Sequence, residues 1–441
     1  MNNAQSQKNL LLYSLLGVSA IAYFELAYKV ARENFFPLFS FYILLFAIYF
    51  VVYRIFSITH FKNLLIAGII FRIMLLFSVP NLSDDVYRFI WDGRLAANGI
   101  NPFSHLPVEV MQMPPVNGIT NELFGQLNSP HYYTIYPPVL QSIFWLTAKL
   151  FPVNIFGAII LLKSFILLFE LGTIYLLLKL LKKLALPKYL ALLYIFNPLV
   201  IIELTGNVHF EGAMIFFVLL TFFLVLYNNW KTSSICLGLG IATKLIPVLF
   251  LPLLINKLGW KKGIMCASIC CLTCLLLFAT FFDLNTLQHL LKSVDLFFQR
   301  FEFNASIYYM VRWVGTIAKG YNIIAISGPV LSLLAASIIS FISFRTRVIS
   351  DQQFFRNALF IITTWYLFST TVHPWYICLP VALSIFTTYR YPIVWSITST
   401  LSYFAYQFNP VHENLWVVGV GYIFMIGYAL WEIKIKRIIL L

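Results

Sequence analysis

Adjacent carboxylates, Asp84 and Asp85, open the densest polar stretch of the sequence, SDDVYRFIWDGRLAANGINPF from Ser83 to Phe103. An acid at a helix amino terminus is kept ionised by the helix dipole, which suits a general base taking a proton from a sugar or lipid hydroxyl. Local signals predict a short helix here, with Ser83 or Asp84 as its amino-terminal cap, Asn98-Gly99 as its stop and Pro102 beyond. At 3.6 residues per turn Val86, Phe89, Ile90, Gly93 and Ala97 form an apolar stripe, while Asp85, Arg88 and Asp92 share another face. Asp85 reads as the base and Asp84 as its cap or support. The plain alternative is that both acids merely cap a helix lying on a membrane surface.

Other polar residues interrupt apolar runs. Glu203, Asn207, His209 and Glu211 cluster at a helix junction, where carboxylates and a histidine can position sugar hydroxyls or a phosphate. A metal site is the rival there, but no second histidine has ligand spacing. Lys244 sits within an apolar run, where an ammonium must be paired or lie in a wet cavity. The stretch FFQRFEFNASIYYMVRW supplies Arg300, Asn304, Tyr308, Tyr309 and Arg312, a set suited to stacking on sugars and pairing with phosphate, or equally to a generic interfacial helix. His373, followed by Pro374, Trp375 and Tyr376, ends another apolar segment beside typical interfacial anchors. Cys266, Cys270 and Cys274 recur every four residues inside an apolar run and read as small hydrophobes rather than ligands.

The elements that must hold these residues are set by composition. Of 441 residues 61% are hydrophobic and 10% charged, and the mean hydropathy is +0.85, which excludes a water-soluble fold. Apolar stretches long enough to cross a hydrocarbon core of roughly 30 Å recur throughout, at 10–28, 37–56, 63–81, 157–178, 189–206, 212–228, 263–282, 322–343, 355–372, 375–388, 392–409 and 414–432. The expectation is an all-α polytopic membrane protein, a single transmembrane domain over 1–441 with about 12 spans. A further apolar segment, 232–255, is broken by Lys244 and Pro247 and flanked by lysines at both ends, and reads as a re-entrant hairpin opening to the cytoplasm. With both termini inside, lysine and arginine dominate the inner loops and acids outnumber bases in the outer ones. That asymmetry accounts for the net charge of +14 without nucleic acid or any other polyanion. Two outer segments, 82–156 and 283–321, are too long for simple turns and carry amphipathic stretches such as Tyr136 to Phe151.

The Asp-rich start, Tyr87, Arg94, Gly99, Asn101-Pro102-Phe103 and the later YTIYPP at 133–138 resemble the first outer loop of GT-C glycosyltransferases. The likeness is to polyprenyl-phosphate-mannose-dependent mannosyltransferases, including the catalytic subunit of GPI mannosyltransferase I and bacterial relatives. It continues through GNVHFEG at 206–212, ATKLIPVLFLP at 242–252 and HPWYICLP at 373–380. Ser83 stands where such enzymes often carry the first acid of Asp-x-Asp, and Asp85 takes the place of the second. The resemblance implies transfer of a sugar, foremost mannose, from a polyprenyl-phosphate donor to a glycan or glycolipid hydroxyl at the outer face, with inversion. On the same ground Arg88, Asp92, Arg94, Tyr133, Tyr136, Lys244 and His373 join the donor and substrate contacts, with Arg88, Arg94 and His373 stabilising the leaving phosphate. The sugar arrives on lipid, so no nucleotide, cofactor or metal is expected. The economy of the chain points to a bacterial plasma membrane.

Two rivals belong to other classes. A secondary transporter would suit twelve spans and a broken helix, but its charges would gather near the midplane of repeated halves. A lipid-sugar ligase or polymerase relies on a large late loop with arginines, whereas here the acidic loop comes early.

Overall fold

The computed structural model describes residues 2–281, 284–299, 301–346 and 349–439; Arg300 lies outside them. It is built from helices, and among the described residues the only β pairing is an isolated parallel bridge between Phe303 and Thr371. Among the described residues six helices are long and apolar enough to cross a membrane: Gln5–Tyr28, Phe35–Phe56, Ile155–Lys183, Trp260–Ala279, Ile324–Phe344 and Leu415–Ile435. Apolar side chains compensate for lipid, and the helix itself satisfies every backbone polar group, so these runs need no other partner for their main chain.

Other apolar runs are broken or short, for identifiable reasons. At 189–206 the chain bends by 54° between Lys188–Ile195 and Pro198–Gly206. Pro198 cannot continue the preceding turn, and Asn197 starts the next one by accepting from Val200 N–H at 3.3 Å. The segment 232–255 divides into the helix Trp230–Ile241, a break at 242–245, a tight turn Ile246–Phe250 and the helix Leu251–Leu258. Glu211–Leu226, Ile246–Leu258 and Pro374–Ser384 are apolar but shorter than a full crossing.

The helices fall into two compact units. The first comprises 1–82, 177–209 and 373–441. In it Phe35–Phe56 buries Leu38, Tyr42, Leu45, Tyr49, Val52 and Phe56, the alternating three-and-four spacing of one helix face, and packs on the first helix. Gly68 lets its helix approach Ile195 so closely that a Cβ would lie 2.7 Å from Ile195 Cγ2. One turn on, the buried Arg72 clamps the same contact, donating to Gly68 O at 2.9 Å and Ile195 O at 2.7 Å.

The second unit comprises 83–176 and 210–372. Its centre is the pairing of Asp85–Ala97 with Pro138–Leu150. Gly93 makes that pairing possible: a Cβ there would sit 2.2 Å from the carbonyl oxygen of Phe144. The expected surface helix is instead buried along most of its length, with Trp91, Asp92 and Leu95 all at 1% exposure or less. Pro138–Leu150 keeps Trp145, Leu146 and Leu150 exposed on its other face. In the later long segment Ile307–Lys319 buries Tyr308 and Tyr309 and exposes Met310, Trp313, Val314 and Ile317.

Candidate active site

The helix carrying the acids begins at Asp85 and stops at Asn98, with Gly99 in the left-handed region at φ +77°, where glycine has no Cβ to clash. Asp84 occupies the cap position but its side chain makes no capping bond. That task falls to Ser83, whose Oγ accepts from Asp85 N–H at 3.3 Å. Both carboxylates are half-buried. Asp85 Oδ1 accepts from Asn128 Nδ2 at 2.9 Å, which fixes the acid's orientation from a loop 43 residues away. Burial raises the phenol pKa of Tyr87, and the neighbouring charge of Asp84 raises it further.

One turn in, Arg88 and Asp92 form a buried ion pair, Nε to Oδ1 at 2.8 Å. Asp92 Oδ2 also accepts from Thr134 Oγ1 and, at 3.1 Å, from Gln141 Nε2. Arg88 Nη1 donates to the carbonyls of Ser129 and Tyr132 at 3.1 and 2.9 Å. These two residues therefore lock the 129–134 loop and the Pro138–Leu150 helix onto the acidic helix, and their hydrogen bonds point into the protein. Arg94, at the other end, donates from Nη1 to Gly118 O at 2.6 Å, and burial lowers its pKa.

Aromatic rings bring the rest of this unit's candidates together. Phe89, four residues after Asp85, stacks on Phe144 at 4.7 Å and meets Tyr136 and Phe210 edge-on at 4.8 and 5.7 Å. Phe210 leads directly into Glu211, which is 1% exposed and paired with Lys244. Glu211 Oε2 has no hydrogen-bond partner among the described residues. The break bearing Lys244 is held beside the Pro138–Leu150 helix by Val139 N–H donating to Ala242 O at 3.0 Å. Tyr133 stacks on His289 at 3.7 Å.

The remaining predicted residues fall into two further groups. Arg312 pairs with Glu302, which also accepts from Tyr308 Oη at 2.5 Å, so that arginine is already neutralised within the second unit. Burial and Glu302 together raise the Tyr308 pKa. Asn304, at φ +46°, donates to Val372 O at 3.0 Å beside the Phe303–Thr371 bridge. In the first unit Asn207, His209 and His373 gather with two residues absent from the sequence-based set, Tyr42 and Tyr403. Both donate to the buried Glu203 carboxylate, at 3.0 and 2.6 Å. No local signal marks either tyrosine, because each lies in an ordinary apolar run. Among the described residues no three metal-ligating side chains come close enough to share an ion.

The acidic helix, Glu211 and Lys244 all lie within residues 18–258, which match a family model described as alpha-(1->6)-mannopyranosyltransferase, N-terminal domain. No curated protein matches the chain at a significant level.

Proposed function

Since the chain belongs to the alpha-(1->6)-mannopyranosyltransferase family, and is a membrane glycosyltransferase acting on mannose, we propose that it takes mannose from a polyprenyl-phosphate donor. The acceptor is a hydroxyl of a glycan or glycolipid at the outer face of a bacterial plasma membrane. Asp85 removes the acceptor proton, the acceptor oxygen attacks the anomeric carbon from the face opposite the phosphate, and the carbon–oxygen bond to phosphate breaks with its electron pair leaving on the phosphate. The anomeric configuration inverts. No cofactor or metal takes part in these steps.

The observation that carries this reading is the state of Asp85: a half-buried carboxylate in the first turn of a helix, steadied by one amide, with Ser83 doing the capping. A base must be oriented yet keep an oxygen for the incoming proton. Lys244 is the favoured phosphate contact. Its ammonium is paired with Glu211 and its side chain is 23% exposed, so it can meet a phosphate without first being dragged out of lipid. Arg94, Tyr133, Tyr136, Asn304, Tyr308 and Arg312 complete the proposed substrate surroundings, with Arg88 and Asp92 as their scaffold. In the membrane the shorter apolar helices complete about twelve crossings. The 232–255 segment re-enters from the cytoplasmic side, and its tip, at Ala242, accepts from Val139 of the first long loop.

The test is transfer from synthetic polyprenyl-phosphate mannose in membranes bearing the wild type, Asp85→Asn or Asp84→Asn. Loss of a general base should slow Asp85→Asn by roughly 10²- to 10⁴-fold. Full activity in both variants would remove the base assignment, and transfer from a nucleotide sugar alone would remove the lipid donor.

A further inference from the structure

The first unit contains a second polar centre, separate from the acidic helix in its chemistry. Residues Ile201–Gly206 form a π-helical turn, and Val208 follows at φ +62°, a conformation that β-branched residues avoid. This irregular backbone turns Glu203, Asn207 and His209 toward one another. Glu203 is fully buried, and its carboxylate accepts from Tyr42, Tyr403 and, at 3.5 Å, Asn207 Nδ2. His209 Nδ1 lies 2.9 Å from the Glu203 carbonyl oxygen and 3.4 Å from its carboxylate. A carbonyl oxygen can only accept, so Nδ1 carries a proton and Nε2 is the edge left for a further hydrogen bond.

The ring cannot easily turn away. Trp375 stacks on it at 3.7 Å and 18°, and His373 stacks on Trp375 at 4.4 Å and 6°. His209 is 1% exposed, and its Nε2 has no hydrogen-bond partner among the described residues. Thr205 Oγ1, in the same turn, has none either. Buried polar atoms in folded proteins are nearly always satisfied, so an unpartnered edge held in place by surrounding contacts is available to a ligand that reaches it. What suits a fixed imidazole edge is a hydroxyl, which can donate or accept, and the substrates of a mannosyltransferase are rich in those.

We propose that His209 Nε2 makes a hydrogen bond with one hydroxyl of the bound sugar substrate, and that Glu203 is the positioning residue, its backbone carbonyl holding Nδ1–H and so orienting the ring. This rests on mannosyl transfer alone, and neither on a lipid donor nor on Asp85 as base. The hydroxyl belongs to the transferred mannose or to the acceptor, and the experiment separates the two.

Purified wild type, His209→Asn and His209→Gln are compared on donor and acceptor analogues each lacking one hydroxyl. Asn keeps a donor for the Glu203 carbonyl and deletes the Nε2 edge, whereas the longer Gln returns an acceptor near it. The wild type should lose about 10- to 100-fold in kcat/KM on one analogue. His209→Asn should be nearly indifferent to that same hydroxyl and His209→Gln should regain part of the discrimination. The molecule bearing the sensitive hydroxyl, donor or acceptor, identifies the source. Glu203→Gln leaves in place the backbone carbonyl that holds Nδ1–H and should keep the analogues in their wild-type order, whereas loss of that order would overturn the carbonyl as the group that orients the ring. Should His209→Asn fail to fold, His209→Phe keeps the stacking ring without nitrogen and serves in its place. Equal losses on every analogue in wild type and variant would mean that Nε2 is served by water only, which overturns the proposal while wild-type mannosyl transfer stands.

Discussion

The side-chain oxygen of Asn207 accepts a hydrogen bond from the backbone N–H of Leu82 at 3.3 Å, and Leu82 precedes Asp84 by two residues. The amide nitrogen of the same side chain donates to Glu203. Asn207 thus fixes the backbone at the point where the chain enters its acidic stretch. Replacing it with Ala removes one hydrogen bond to a buried N–H and should slow transfer about 5- to 30-fold, equivalent to about 1–2 kcal/mol. Asn207→Asp keeps an acceptor for Leu82 but sets a second carboxylate against the buried Glu203, and should be no faster than Asn207→Ala in initial-velocity assays.

Gly93→Ala is expected to damage stability before chemistry. The new methyl would stand 2.2 Å from the Phe144 carbonyl, a fixed backbone atom, so the two helices must separate. Overpacking of this kind costs about 1–3 kcal/mol, and a lowered midpoint in thermal unfolding of the detergent-purified protein checks it. An unchanged midpoint would show that the helix pair is looser than the structure indicates.

Asp92→Asn should be more harmful than its distance from Asp85 suggests. It leaves Arg88 buried at 3% exposure without a counter-charge. Removing one partner of a buried pair costs about 3–5 kcal/mol, whereas the apolar double replacement Arg88→Met with Asp92→Leu should cost less than the single change. Folded yield and melting of the three variants decide it; a double variant worse than Asp92→Asn would contradict this account.

Lys244→Met separates binding from structure. If the ammonium meets the donor phosphate, KM for the lipid-linked donor should rise about 10-fold or more while KM for the acceptor changes little, and Lys244→Arg should retain donor affinity. Equal changes in both constants would reduce Lys244 to a partner of Glu211.

Local features of the sequence were legible because their causes are local. Helix periodicity and the Asn98-Gly99 stop place the acidic helix within a residue or two, and long apolar runs reveal the membrane-spanning helices. The roles of Arg88 and Asp92 were not legible. Their i,i+4 spacing shows that they can pair, but Thr134 and Gln141 close around Asp92 from 42 and 49 residues away. Glu203 is more remote still, with tyrosine donors 161 and 200 positions distant. Nor does hydropathy distinguish a continuous span from one broken at Asn197-Pro198, because composition is blind to a 54° bend.

The Arg88–Asp92 pair has a consequence for folding. As the loop segment closes over the acidic helix, only one registration brings Thr134, Gln141 and the Ser129 and Tyr132 carbonyls to these two charges at once. Any slipped arrangement strands a guanidinium or a carboxylate in an apolar interior, a penalty of several kcal/mol that ordinary side-chain packing would not impose. The pair therefore disfavours slipped packings of this segment more strongly than apolar contacts alone would.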